Sequence, residues 1–170
     1  MMNKKIQYIL VVFVLFLGFQ VQAQNTITAY EIKLSSLSTT EAEKLDYLAN
    51  GAPSSMFVTR DNEAKINRST NITTIVEMTL VKPSDFTKLV NAFENNLAEI
   101  EIINIEWDGQ EDWAISNVIL QKMEHLKYIY IRSYQPLNAS IIQSRLQNLM
   151  NALEEKANVE VLFYTMKQPS

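Results

Sequence analysis

Residues 97–106 read LAEIEIINIE, and residues 123–132 read MEHLKYIYIR. Superposed, the two stretches carry apolar residues at the same places: Leu97, Ile100, Ile103 and Ile105, then Met123, Leu126, Ile129 and Ile131. The pattern apolar-x-x-apolar-x-apolar also occurs earlier as Ile75, Met78 and Leu80, with Ile72 in the leading place. It returns later as Val159, Leu162 and Tyr164. The alternation that ends each copy is the mark of a strand with one buried face.

The segments between the copies have helical spacing. Phe86, Leu89, Val90, Phe93 and Leu97 share one face, as do Ile115, Val118 and Ile119, and then Ile142, Leu146, Leu149, Met150 and Leu153. Ser84 and Asn138 stand where N-caps belong. Strand–helix alternation predicts parallel strands joined by right-handed crossovers. The expected class is therefore α/β: βα units over residues 72–170, with a mostly parallel sheet and helices packed on one face.

The repeat resembles the strand signature of leucine-rich repeats over about the last hundred residues. That family places an asparagine three positions after the last strand residue. Here Pro83, Asp108, Tyr134 and Lys167 hold those places, so no asparagine ladder can form, and the spacings of 25, 26 and 33 residues drift. A small open α/β sheet gives the same pattern.

Residues 24–71 read as a βαββ lead-in. Thr26 to Lys33 alternates as a strand, and Ser38-Thr39-Thr40-Glu41 is a capping box opening a helix. That helix stops at Asn50-Gly51, with Pro53 just beyond. Runs at 56–60 and 63–67 flank Asp61-Asn62, a tight hairpin turn. With the helix at 85–97 and the strand at 100–106, this order looks like a ferredoxin-like βαββαβ unit. Heavy-metal-associated domains share that order but carry a paired-cysteine motif. With no cysteine present, none of their metal function carries over.

The N-terminus reads as a secretory leader. Lys4 and Lys5 precede an uncharged apolar run from Ile9 to Phe19, and Val21-Gln22-Ala23 supplies a small-residue cut site after Ala23. The run is short for a membrane span, which needs roughly 20 residues. The expected mature chain is a single secreted or periplasmic domain with no membrane insertion. The leader holds two lysines and no acid, so its removal takes the formal charge from −4 to −6. With Lys and Arg scattered, that balance excludes nucleic acid as a partner.

Several chemistries are excluded by residue counts. Outside the leader there are two glycines, Gly51 and Gly109, so no glycine-rich phosphate loop exists. One histidine, His125, and no cysteine exclude the common zinc sites. No cofactor, metal site or catalytic residue is expected.

Two binding candidates remain. The first is the strand face opposite the repeated apolar residues, where Tyr128, Tyr130 and Arg132 form an aromatic surface of the kind found at protein or peptide interfaces. Whether the lead-in covers that face is open at this level. The second is EWDGQEDW, residues 106–113. Its Asp108-Gly109 reads as a turn out of a strand, and Glu111 and Asp112 as the first turn of a helix. Trp107, flanked by Glu106 and Asp108, sits beyond a strand's carboxyl end, where parallel sheets bind ligands. An exposed Trp107 could stack on a sugar, and Glu106 with Asp112 could form the carboxyl pair of a glycosidase. The preferred function is a non-enzymatic protein- or peptide-binding module; the alternative is a small glycan binder or hydrolase.

Overall fold

A computed structural model describes residues 25–70, 73–156 and 158–168. The expected leader (1–23) and the expected boundary at Asn71 and Ile72 lie outside these residues. The elements are β1 (Ile27–Ala29), α1 (Tyr30–Ser36), α2 (Thr39–Asn50), β2 (Ser55–Val58), β3 (Ala64–Asn67), β4 (Glu77–Leu80) and α3 (Pro83–Phe93). After a 3-10 segment (Glu94–Glu99) come β5 (Ile102–Glu106), α4 (Asn117–Lys122), β6 (Tyr128–Ser133), α5 (Ala139–Arg145), α6 (Gln147–Glu154) and β7 (Glu160–Thr165).

The strands form one sheet in the order β1-β7-β6-β5-β4-β2-β3. Every pairing is parallel except the β2–β3 hairpin. The fold is thus α/β with a mostly parallel sheet. The four repeat strands lie side by side in chain order, and the register aligns the first three copies, Met78 with Ile103 and Ile103 with Ile129. The fourth is corrected by one residue, since Ile129 pairs with Val161 while Leu162 and Tyr164 turn to the other face. Met78, Ile103, Ile129 and Val161 are fully buried in one core cluster, together with Leu89 of α3, Leu120 of α4, Ile142 of α5 and Leu149 of α6. The helices of the βα units therefore cover one face, as expected.

The lead-in explains the other face. From β4 to β7 the chain steps across the sheet in one direction, but from β1 to β2 it crosses in the reverse direction. If crossovers between parallel strands keep one hand, a reversed step must send its helices to the opposite side. α1 and α2 do pack there: Tyr30, Leu45, Leu48 and Ala49 share a second core cluster with Val76, Ile102, Tyr130 and Leu162. Ion pairs fasten them, Lys33 to Glu160 at 2.7 Å and Lys44 to Glu101 at 3.3 Å. Helices thus lie on both faces, which amends the one-sided packing expected from the repeat alone.

The same order dissolves the ferredoxin-like unit, because β1 and β3 occupy opposite edges of the sheet. The strand expected over 26–33 ends at Ala29, where α1 begins. Other local expectations hold. Glu41 accepts from both the backbone N–H and the hydroxyl of Ser38 at the start of α2. Asn62 has φ 65° in the hairpin turn, a conformation its short polar side chain tolerates.

Candidate functional site

The face of the sheet beneath α1 and α2 carries Tyr128, Tyr130 and Arg132 of β6, as expected from their alternation. Tyr130, however, is only 1% exposed. Its ring packs against Tyr30, centroids 4.8 Å apart, and Tyr30 meets Tyr164 edge-on. The Tyr30 hydroxyl donates to Asp46 Oδ1 at 2.6 Å and accepts from Asn50 Nδ2 at 3.0 Å, fixing α2 to α1. Burial pushes the Tyr130 phenol up to about 12. The expected partner surface is therefore corrected at its centre: the reversed crossover lays α1 and α2 over it. Tyr128 and Arg132 are half-buried, and the Arg132 guanidinium lies 5.9 Å from the Tyr130 ring centre.

Beside Tyr130 lies a buried polar pair. Asn104 Nδ2 donates to Glu77 Oε1 at 2.6 Å, and the Thr79 hydroxyl donates to the same oxygen at 3.0 Å. Burial raises the Glu77 carboxyl above its ordinary range, opposed by these two hydrogen bonds and by the charge of Arg132.

The second candidate, residues 106–113, is an ordered loop rather than a helix start. No helix begins before Asn117. Its acids act on the loop's own geometry. Asp108 Oδ1 accepts from the N–H of Gln110 at 2.9 Å and of Glu111 at 3.3 Å. Asp112 accepts from the N–H of Trp113 and, through Oδ2, from Asn148 Nδ2 at 2.7 Å. Gly109 turns the chain with φ +85°, and its carbonyl accepts from Arg145 Nη1 at 2.9 Å.

Trp107 is not an exposed stacking platform. It is 3% exposed, and its indole N–H donates to the Glu111 carbonyl at 2.7 Å. Its own backbone N–H extends the β5–β6 ladder to Arg132 O at 2.8 Å, which carries the ring into the core rather than outward. Glu106 and Asp108 are exposed. Glu106 pairs in register with Arg132 and so belongs to the α1–α2 side, while Asp112 is tied to α6 on the other. The sheet edge therefore separates the two carboxyls proposed for a glycosidase, and Glu106 does not line the hollow that Asp112 lines.

That hollow, about 750 Å³, opens between two loops at the carboxyl ends of β4 and β5. Val81, Lys82 and Ser84 form one wall; Asp108, Glu111 and Trp113 form the other. A second hollow of about 490 Å³ lies between the β5 and β6 loops, walled by Gln110, Gln135, Leu137, Ile141 and Arg145. Trp107 and Asp108 line both. Lys82, Gln135 and Arg145 carry no motif in the sequence, and Ser84, expected as an N-cap, lies inside the first turn of α3, whose N-cap is Lys82. Their signal is positional: Lys82, Ser84 and Gln135 follow strand ends at the edge where parallel sheets bind ligands.

No protein-family model matches the chain, and no curated protein or solved structure matches it. Among the described residues no group of three or more His, Cys, Asp or Glu could hold a metal ion, and no helix is long and apolar enough to cross a membrane. His125 is exposed, at the turn before β6. The carboxyl edge offers a braced, mixed row of hydrogen-bond donors and acceptors, suited to holding a polar ligand.

Proposed function

We propose that the protein is an exported, non-enzymatic binding module whose ligand sits at the carboxyl edge of the sheet. One observation carries this reading. The aromatic strand face is closed over Tyr130, whereas the 106–113 loop is cross-braced around two open hollows. Rigid loops carrying polar groups on a fixed sheet lower the ordering cost of binding. The leader-like N-terminus supports export, and the placement of Glu106 and Asp112 on opposite sides of the sheet edge favours binding over hydrolysis.

Amide chemical-shift mapping with a panel of neutral oligosaccharides and of acidic, basic and apolar peptides tests the site. Binders should move the amides of residues 81–84, 107–113 and 135–145. Shifts confined to Tyr128, Arg132 and their neighbours, or no response to any member of the panel, would overturn the carboxyl-edge reading.

A further inference from the structure

The two hollows share a wall, and their polar groups are of mixed kind. Resting on the carboxyl-edge reading, we propose that they form one bipartite site for an uncharged, hydroxyl-rich chain, an oligosaccharide running across Asp108. Three observations converge on this ligand class.

Trp113 lines the first hollow and is 1% exposed, yet its indole N–H is buried without a hydrogen-bond partner. A buried donor left unmade is costly, so an acceptor that reached it by a small shift of the hollow's wall would gain from meeting it. Lys82 and Ser84, whose side chains carry donors, line the same hollow as Asp108 and Glu111, whose side chains carry acceptors. Asp108 engages only Oδ1 with the loop backbone, so Oδ2 remains for a ligand. A sugar hydroxyl donates and accepts at once, and so matches such a row better than a group of one kind.

The charges argue against a polyanion, which would meet Asp108, Glu111 and Asp112 in the first hollow, and against a polycation long enough to reach Arg145 in the second. The second hollow adds Leu137 and Ile141, apolar surface against which the C–H face of a sugar can lie. Since Asp108 lines both hollows, one continuous chain can reach both. Linking two contacts in this way raises affinity without any new group.

Calorimetric titration with glucan, xylan, mannan and galactan ladders, from disaccharide to hexasaccharide, tests the proposal on the mature protein. At least one ladder should gain about tenfold or more in affinity as its length comes to span both hollows. That affinity should stay unchanged between low and high salt, because the ligand is uncharged. Ser84→Trp, placed at an exposed position, should plug the first hollow and reduce a long chain to the affinity of a short one. Glu111→Gln, which keeps the loop carbonyl bound by Trp107, should weaken the same chain about tenfold if the carboxylate accepts from hydroxyls. Circular dichroism of each variant separates lost binding from lost fold.

A charged peptide that shifts residues 81–84 and 107–113, with salt-sensitive affinity, overturns the saccharide assignment and leaves the carboxyl-edge reading standing. Saccharide binding mapped to Tyr128 and Arg132 overturns both. No heat and no shift with any of the four ladders overturns the saccharide assignment.

Discussion

The two faces of the sheet are closed by different means. On one, α3 to α6 follow the strands they cover, and the buried strand residues are aliphatic: Met78, Leu80, Ile103, Ile105, Ile129, Ile131 and Val161. On the other, α1 and α2 arrive in one long reversed step from the far edge. They seal a layer holding Glu77, Asn104 and Tyr130. Asn104 Oδ1 and Arg132 Nε are buried there without partners. Short local connections build a layer whose central strand residues are aliphatic. Its polar ties, such as Asn148 to Asp112 and Lys122 to Glu94, keep to the exposed rim, with one unmet donor, Trp113 Nε1. A layer closed by one long step instead carries its polar groups on the strand face itself, and two of them are incompletely satisfied.

Ile103 and Asn104 put the contrast on adjacent residues of β5, one facing each layer. Both are buried, at 0% and 2% exposure. Ile103→Ala removes a side chain from the aliphatic layer, where surrounding helices cannot collapse far. A loss of about 2–5 kcal/mol in urea unfolding is expected, little altered by pH. Asn104→Ala should cost about 1–3 kcal/mol at neutral pH, because Glu77 loses its 2.6 Å donor. If the two losses show the same pH dependence, the polar layer is no different in kind from the apolar one.

The sign for Glu77 follows from its raised carboxyl. A group that binds its proton more tightly when folded favours the fold below its unfolded value, and that contribution is lost as pH rises through the folded one. Glu77 therefore disfavours the folded state at neutral pH. Glu77→Gln, which keeps an oxygen for Asn104 and Thr79, should raise the urea midpoint at neutral pH and have little effect in acid. A smaller loss, about 0.5–1 kcal/mol, is expected for Glu41→Ala, which opens the capping box of α2 and loosens only the polar layer.

Much of the aliphatic layer was legible in the sequence because its signal is local. β4, β5 and β6 carry their own alternation, and α3 and the pair α5–α6 their own stripes. β7 is apolar on both faces, so its phase slipped by one residue to Leu162, and Val118 of the α4 stripe is exposed. The polar layer was not legible, since its closure depends on where β1 lies, a matter of strand order that no local pattern records. One local clue existed: Tyr30, Leu34 and Leu37 recur at helical spacing and pack together in the second cluster. The strand alternation of residues 26–33 obscured it. At the candidate site, Asp108 and Gly109 were legible as a turn. Trp107 was misjudged because a turn residue reads as exposed, yet its backbone N–H still pairs with Arg132 and carries the ring inward. The apparent helix start at Glu111 failed for a similar reason: Asp112 caps a bend held by Asn148, an element 36 residues away.

The most delicate probe of the comparison is Tyr130→Phe. The Tyr130 ring is buried against Tyr30, and its phenol titrates near 12 rather than the usual value of about 10. Unfolded chains release that proton first, so the fold should lose stability as pH rises from about 10 to about 12 and hold its full contribution below that window. Phenylalanine keeps the ring and removes the proton. At neutral pH the variant should match the parent within about 0.5 kcal/mol. Its alkaline loss should be shallower, with the remainder due to Tyr30, whose hydroxyl is also held well above its ordinary value by burial and by Asp46. Identical alkaline slopes for parent and variant would mean that α1 and α2 open before Tyr130 ionises. The polar layer would then be a lid that parts from the sheet while the aliphatic layer stays closed, and the strand face bearing Tyr128, Tyr130 and Arg132 would return as a surface for partners.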